Sequence, residues 1–470
     1  MGTAGRDAPQ PEPGWLSDGP LKRLLGNASL LVGGRSLNGI FNLAAMTLIV
    51  RSVGLETYGS LVLVHAFAST LSDLAKFQSW QAVLRYGTPA LESGRTMDFR
   101  RLIKLTVLLD LGATLAGVAI AVVAAPLLAP YLGWPSELVP LVQLYSVSIL
   151  FMVTATPTGL LRLFDRFDLL SVSNAIGSFL RLIGALWIFV QGGGLELLLG
   201  LWFLSTAASG CWLIGHSVRA LSARDLLAGP RLGFRGLSRG HNRIASFVLT
   251  TQANTTLSAG MRQLATVVVG LLLDATAAGL FDLSRQMTTL LTRLARLMKP
   301  AIYPEFARLS TRDDVAGIRR LMFRSMALMT GVGILLVGLF AAFGRPLLGA
   351  IFGEEATAAY GLVVWMAVAA AIRLLSFPLE PALISTGRAG SALVVRAATV
   401  LVFLVCMATA IPALGLVGAG IATLAAALIA VAGQGLAVMT WLADRTTAGA
   451  GRDRASGPGG PPAGEPEQGS

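Results

Sequence analysis

Charge is scarce in this 470-residue sequence: Asp, Glu, Lys and Arg make up 13% of it. A soluble domain needs about a quarter to cover its surface, so most of this surface faces something other than water. Cysteine is nearly absent as well. Cys211 and Cys406 both stand in apolar runs, which excludes a disulfide framework. The opening residues hold no apolar core, and the first long apolar run begins only near Leu30, so the start does not read as a signal peptide. There is no nucleotide-binding loop, so ATP hydrolysis is not expected. The net charge of +12 comes without an aromatic-interleaved basic module or a soluble domain to carry one, which excludes nucleic acid as a partner. No cofactor or metal is expected.

Apolar length is what the sequence has instead. Hydrophobic residues make up 54% and mean hydropathy is +0.69. A helix crosses the hydrocarbon with about 20 mostly apolar residues. Twelve such runs can be placed, at 27–50, 60–84, 102–128, 138–160, 169–191, 195–218, 244–272, 278–300, 321–343, 358–386, 389–412 and 416–441. The expected fold is therefore all-α, a polytopic membrane protein of about 12 transmembrane helices. An even count puts both termini on one side, and the positive-inside rule says which. Of the 37 Lys and Arg, 28 fall on the side of the termini and only Arg51 and Arg345 on the other, with seven inside helices. Both termini are expected in the cytoplasm. Residues 1–20 and 443–470 read as disordered tails, rich in Pro, Gly, Ser and mixed charge.

The two halves echo each other at an offset of about 220 residues. Gly59, opening the second helix, matches Gly279, opening the eighth. Tyr-Leu-Gly at 131–133 matches Ile-Phe-Gly at 351–353, and the segment 160–166 sits opposite 383–388. The expected division is an N-lobe at 21–221 (helices 1–6), a basic cytoplasmic loop at 222–243, and a C-lobe at 244–442 (helices 7–12). Repeats with six helices each are related by an axis along the membrane normal, with the substrate site where they meet.

Leu48-Ile-Val-Arg-Ser-Val-Gly-Leu-Glu-Thr-Tyr-Gly-Ser60 resembles the turn between the first two helices of polysaccharide-repeat flippases. These are the Wzx-type branch of the multidrug/oligosaccharidyl-lipid/polysaccharide exporter superfamily. The stretch 72–85, with its acidic residue and terminal Arg85, resembles that family's second helix, and 159–167 resembles the cytoplasmic end of its fourth. The resemblance covers roughly 22–442 and implies two six-helix lobes in a V around a central cavity. It implies a bacterial cytoplasmic (inner) membrane transporter that flips an undecaprenyl-type lipid-linked oligosaccharide by alternating access. Membrane lipids and other polysaccharide-assembly proteins are the further partners it implies, and the products are lipopolysaccharide or exopolysaccharide. The two extra helices usual in peptidoglycan-precursor flippases are not found. Two rivals stand beside this reading: an ion-coupled drug/cation antiporter of the same superfamily, and an integral glycosyltransferase or polymerase. The antiporters usually carry an acidic cavity. The enzymes usually carry a sizeable catalytic loop, and no Asp-x-Asp metal motif sits at a membrane face here. An enzyme is not expected.

Charges at mid-helix cost about 2.5–3.5 kcal/mol each by insertion scales, so they face protein or water. The cations are Arg35, Lys76, Arg181, Arg262, Arg285, Arg373 and Arg396; the anions are Asp73, Asp110, Asp282 and Glu380. The surplus of cations suits a pyrophosphate, because guanidinium binds phosphate oxygens with two prongs. Helical spacing puts Arg35, Asn38 and Asn42 on one polar face of helix 1, and Gln252, Arg262 and the adjoining Gln263 on helix 7. The expected cargo-binding cations are Arg35, Lys76, Arg262, Arg285 and Arg373, with Asn38, Asn42, Gln252 and Gln263 as polar lining. Asp73, Asp282 and Glu380 are the candidates for ion coupling, Glu380 because Pro378 and Pro381 break the helix around it. Asp73–Lys76 and Asp282–Arg285 read equally as pairs that glue helices. Asp110 and Arg181 read as structural, His65 as a polar core residue, and Arg396 as a side chain reaching for the cytoplasmic surface.

Overall fold

The computed structural model describes residues 18–227, 263–289, 306, 308–309, 315–379, 382–383 and 389–455, and among them every regular element is a helix. Helix α1 (Asp18–Ala75) takes in the first predicted run and the second as far as Ala75. The span-like stretch Asn38–Glu92 is 55 residues long. At 1.5 Å per residue that is about 80 Å, more than twice the hydrocarbon thickness, so it crosses twice. The reversal falls at Gly54, with φ 83° and ψ 169°, a conformation open to glycine because it has no Cβ.

The chain continues through α2 (Ser79–Glu92), α3 (Thr96–Leu128), α4 (Leu138–Ser146), α5 (Ile149–Met152), α6 (Ala155–Leu163), α7 (Phe167–Gln191) and α8 (Leu195–Ser222). Next come α9 (Gln263–Leu272) and α10 (275–289), then α11 (Val315–Phe352). A short 3₁₀ turn at Glu354–Ala359 leads to α12 (Tyr360–Leu375), α13 (Ala389–Leu414) and α14 (Leu416–Ala455). Among the described residues nine stretches are long and apolar enough to cross a membrane. Helix α14 runs past the boundary expected at 442, through an Ala-containing stretch compatible with helix. Likewise α1 starts inside the segment read as the first tail.

Helix α3 shows why these helices belong in lipid. Beyond its first turns, where Phe99, Leu102 and Ile103 are buried, its buried face carries Thr106, Asp110, Thr114, Gly117, Ala121 and Ala125, all small or polar. Its exposed face carries Val107, Leu111, Leu115, Ile120, Val123 and Leu127. This inverts the order expected in water, and it is what a helix does when its neighbours are small residues on one side and acyl chains on the other. Among the described residues three predicted runs are interrupted, one of them 358–386, whose helix gives way to a turn at 376–378, next to the expected break at Pro378. Run 60–84 breaks at 76–78, and run 138–160 breaks at 147–148 and again at 153–154.

The helices gather into two compact units, Met1–Leu283 with Pro346–Ala358, and Ser284–Arg345 with Ala359–Ser470. In the first, Gly59 and Gly279 touch directly: a Cβ on Gly279 would lie 3.0 Å from the Gly59 Cα. The two glycines aligned by the sequence repeat thus pack against each other. In the second, Phe306, Ile318, Met322, Leu379, Leu383, Val438 and Trp441 form a buried core. Gly418 lets α14 come close to the Ala410 carbonyl of α13.

Candidate functional site

The breaks in the second and fourth runs meet at one carboxylate. A helix start leaves backbone N–H groups without intrahelical partners, and in hydrocarbon these need partners from protein. Asp110, 6% exposed on α3, takes one of these N–H groups, at the start of α6, and bonds a side chain at the start of α2. It accepts the Ser79 hydroxyl at the start of α2 (2.5 Å) and both the backbone N–H (2.9 Å) and hydroxyl (2.7 Å) of Thr156 at the start of α6. Lys76, in the same break as Ser79, is close enough to act on Asp110 electrostatically. Gly159 lets α6 cross α2, since a Cβ there would come within 2.8 Å of the Trp80 Cα. The Arg162 guanidinium covers the Trp80 ring at 4.3 Å.

Beside the second break, at Thr154, opens a cavity of about 260 Å³. Helix α1 contributes Asn38 and Asn42, and α7 contributes Ser173, Asn174, Ser178 and Arg181. Thr206 and Ser209 reach in from α8. Asn42 donates to Asn38 at 2.9 Å. Arg181 donates through Nε to Ser205 (2.9 Å) and, more weakly, to Thr206 (3.4 Å), and stacks 5.1 Å from the Trp202 ring centre. Gly177 and Gly210 make the space: a Cβ on Gly177 would lie 2.7 Å from the Ser209 hydroxyl, and one on Gly210 would lie 2.7 Å from the Phe151 carbonyl. All lining residues lie between 38 and 213, inside the first unit. A second cavity, of about 300 Å³, lies in the other unit. Ile334, Val337, Val368, Ala371 and Leu375 line it, and it offers almost nothing to a polar ligand.

The expected site residues are scattered among these features. Asn38 and Asn42 do line a cavity. Lys76 stands in the break beside Asp110, half-buried, and Asp73 lies one turn earlier on α1. Asp282, 5% exposed on α10, accepts the Tyr58 hydroxyl at 2.9 Å. Arg285 and Gln263 are half-buried, and Arg373 is exposed in the last turn of α12. Arg262, Gln252, Glu380 and most of the 222–243 loop lie outside the described residues, as does the side chain of Arg35. His65 bonds to the Tyr145 hydroxyl at 2.7 Å, within the helix packing.

Asp110 at the break and Arg181 in the cavity were read as structural, while Asn174 and Ser178 were not singled out. Asn174, Ser178 and Arg181 recur at helical spacing on α7, the same signal that singled out helix 1. Asp110 carried no such pattern. Its partners come from two other helices.

Comparison with known proteins follows from this architecture. A family model described as polysaccharide biosynthesis protein matches residues 92–360, more than half of the chain. The chain belongs to that family. Its fold is shared with a multidrug resistance MATE family transporter of the MOP superfamily in an inward-facing conformation. There the TM-score is 0.68 at 14% identity, over 87% of this chain and 96% of that one. The lipid II flippase MurJ, in an inward closed conformation, aligns with a TM-score of 0.61 at 14% identity, over 87% of each chain. Among curated proteins, Inner membrane protein YghQ of Escherichia coli (strain K12) is 29% identical over 352 residues, 74% of this chain and 98% of the relative. The family member described here is a multi-pass membrane protein.

Proposed function

We propose that this protein moves an undecaprenyl-type lipid-linked oligosaccharide across the bacterial cytoplasmic membrane by alternating access. The observation that carries the reading is a hydroxyl- and amide-walled cavity with an arginine, at hydrocarbon depth, in a member of a polysaccharide biosynthesis family. Acyl chains have no use for such a wall, while a glycan headgroup in transit needs its hydroxyls satisfied. The solved relatives support it in kind, since one is titled a lipid II flippase and another a multidrug transporter. The relative named an inner membrane protein supports the location. The charge sorting supports cytoplasmic termini. Under this reading two six-helix lobes enclose the path, and Arg35, Lys76, Arg262, Arg285 and Arg373 neutralise the diphosphate. The chain acts as a transporter rather than as the enzyme that builds the glycan.

Arg262 tests it. Membrane abundance and transbilayer movement of lipid-linked oligosaccharide are measured together for Arg262→Ala. The reading expects full abundance with movement down about ten- to a hundred-fold, the scale of one lost charge-assisted phosphate contact. Arg262→Lys should recover part, because lysine keeps the charge and loses the fork. Full abundance with full movement removes Arg262 from the path. Low abundance restored by neutralising a neighbouring acid makes it a structural residue.

A further inference from the structure

Arg181 has an unusual set of neighbours for an arginine near the middle of a helix apolar enough to span a membrane. Its guanidinium has five N–H donors. Among the described residues it uses them on two hydroxyls, one of them at a long 3.4 Å, and it lies over an indole face. Among the described residues no Asp or Glu lines its cavity. A cation costs several kcal/mol to hold out of water without an opposite charge. Hydroxyls and a ring position this one without neutralising it. The rest of the wall is neutral and two-sided: amides and hydroxyls that both donate and accept, which suits the hydroxyls of a sugar better than a bare phosphate. Size narrows the choice further. Ligand pockets start at about 300 Å³, so the roughly 260 Å³ here suits one sugar ring, with the rest of a repeat unit outside it.

We propose that the cavity of α1, α7 and α8 is a subsite for one oxyanion-bearing sugar of the cargo headgroup, with Arg181 pairing the oxyanion and Asn38, Asn42 and Asn174 reading the adjoining hydroxyls. This rests on the flippase reading and deepens it: the site selects cargo inside the first helical bundle, apart from the cations assigned to the diphosphate. The shared chemistry is an oxyanion, which a uronic acid carboxylate or the lipid diphosphate itself can supply. The wall of amides favours the sugar.

The test uses the full chain in lipid nanodiscs and three probes: undecaprenyl diphosphate, the same lipid carrying one glucuronic acid, and the same lipid carrying one glucose. Wild type is expected to prefer the glucuronic acid lipid over the glucose lipid. Arg181→Gln should erase that preference, weakening the acidic probe about tenfold or more, and Arg181→Lys should recover part of it. If Arg181→Gln weakens all three probes alike, the subsite stands and the diphosphate is its oxyanion. Asn174→Leu is the second variant, on the half of the wall that leaves the cation alone. It should weaken the acidic probe several-fold at normal abundance, and it decides the matter if Arg181→Gln fails to accumulate. Folded variants that bind every probe as wild type does overturn the subsite and leave the flippase reading standing. A wild type that binds none of the three overturns both.

Discussion

Asp110 and Arg181 were legible as intramembrane charges and illegible as partners. Sequence spacing reports neighbours along one helix, three or four residues apart. Asp110 bonds to Ser79 and Thr156, 31 and 46 residues away, and Arg181 bonds to Ser205, 24 residues away. Asn38 and Asn42, four apart on one face, were found for the converse reason. The Asp110 arrangement carries a stability prediction. Asparagine keeps one acceptor oxygen and turns an NH₂ toward either the Ser79 hydroxyl or the two Thr156 donors, so Asp110→Asn should cost about 1–3 kcal/mol. Ser79→Ala and Thr156→Val each remove one bond and should cost about 1 kcal/mol. Thermal unfolding in detergent reads all three, and an Asp110→Asn protein that melts with wild type would mean the carboxylate does not hold the breaks together.

Among the elements, long apolar runs announced themselves, and so did the interruption at Pro378, where a turn stands at 376–378; the interruptions in the second and fourth runs did not. The runs at 102–128, 169–191 and 195–218 return as α3, α7 and α8 with ends shifted by a few residues. The breaks at 76–78 and 153–154 carry no proline or glycine. Each lies where a helix start meets Asp110 on another helix, a tertiary arrangement that local composition cannot display. Gly54 and Gly59 were noticed as a motif, and the structure gives each a physical job: one reverses the chain and the other admits a neighbouring backbone. A Cβ at Gly59 would stand 1.9 Å from the Ala275 carbonyl oxygen, while one at Gly112 on α3 meets nothing within 4 Å. Gly59→Ala should therefore lower the melting temperature and the membrane abundance, and Gly112→Ala should leave both unchanged. Equal behaviour of the two variants would remove the close packing of this helix pair from the account.

For the whole molecule, the charge sorting assigns the loops to two sides, and two contacts in the first unit join segments it assigns alike. Arg51 donates to the carbonyls of Ala350 and Ile351 at the end of α11, all assigned to the side with few cations. Arg100 donates to the carbonyls of Asp225 (2.6 Å) and Leu226 (3.1 Å), all assigned to the cation-rich side. Cations at helix C-termini are favoured by the helix dipole as well. With Cys211 and Cys406 replaced, single cysteines at Gly193 and Ser136 should label from outside intact cells, and one at Ser238 should not. Labelling at Ser238 would reverse the topology. The cargo was never legible from hydropathy, which identifies what faces lipid and says nothing of what passes between helices.

The central claim is that this chain moves a glycan on a lipid carrier, and the direct measurement is that movement. Purified protein is reconstituted in vesicles holding undecaprenyl diphosphate with a short fluorescent oligosaccharide, and a membrane-impermeant quencher reports the fraction on the outer leaflet with time. The account predicts that vesicles with the protein expose the protected half far faster than empty vesicles, and that Arg181→Gln slows exposure of a probe bearing an acidic sugar. Vesicles with fully incorporated, folded protein that exchange the lipid no faster than empty ones would contradict it.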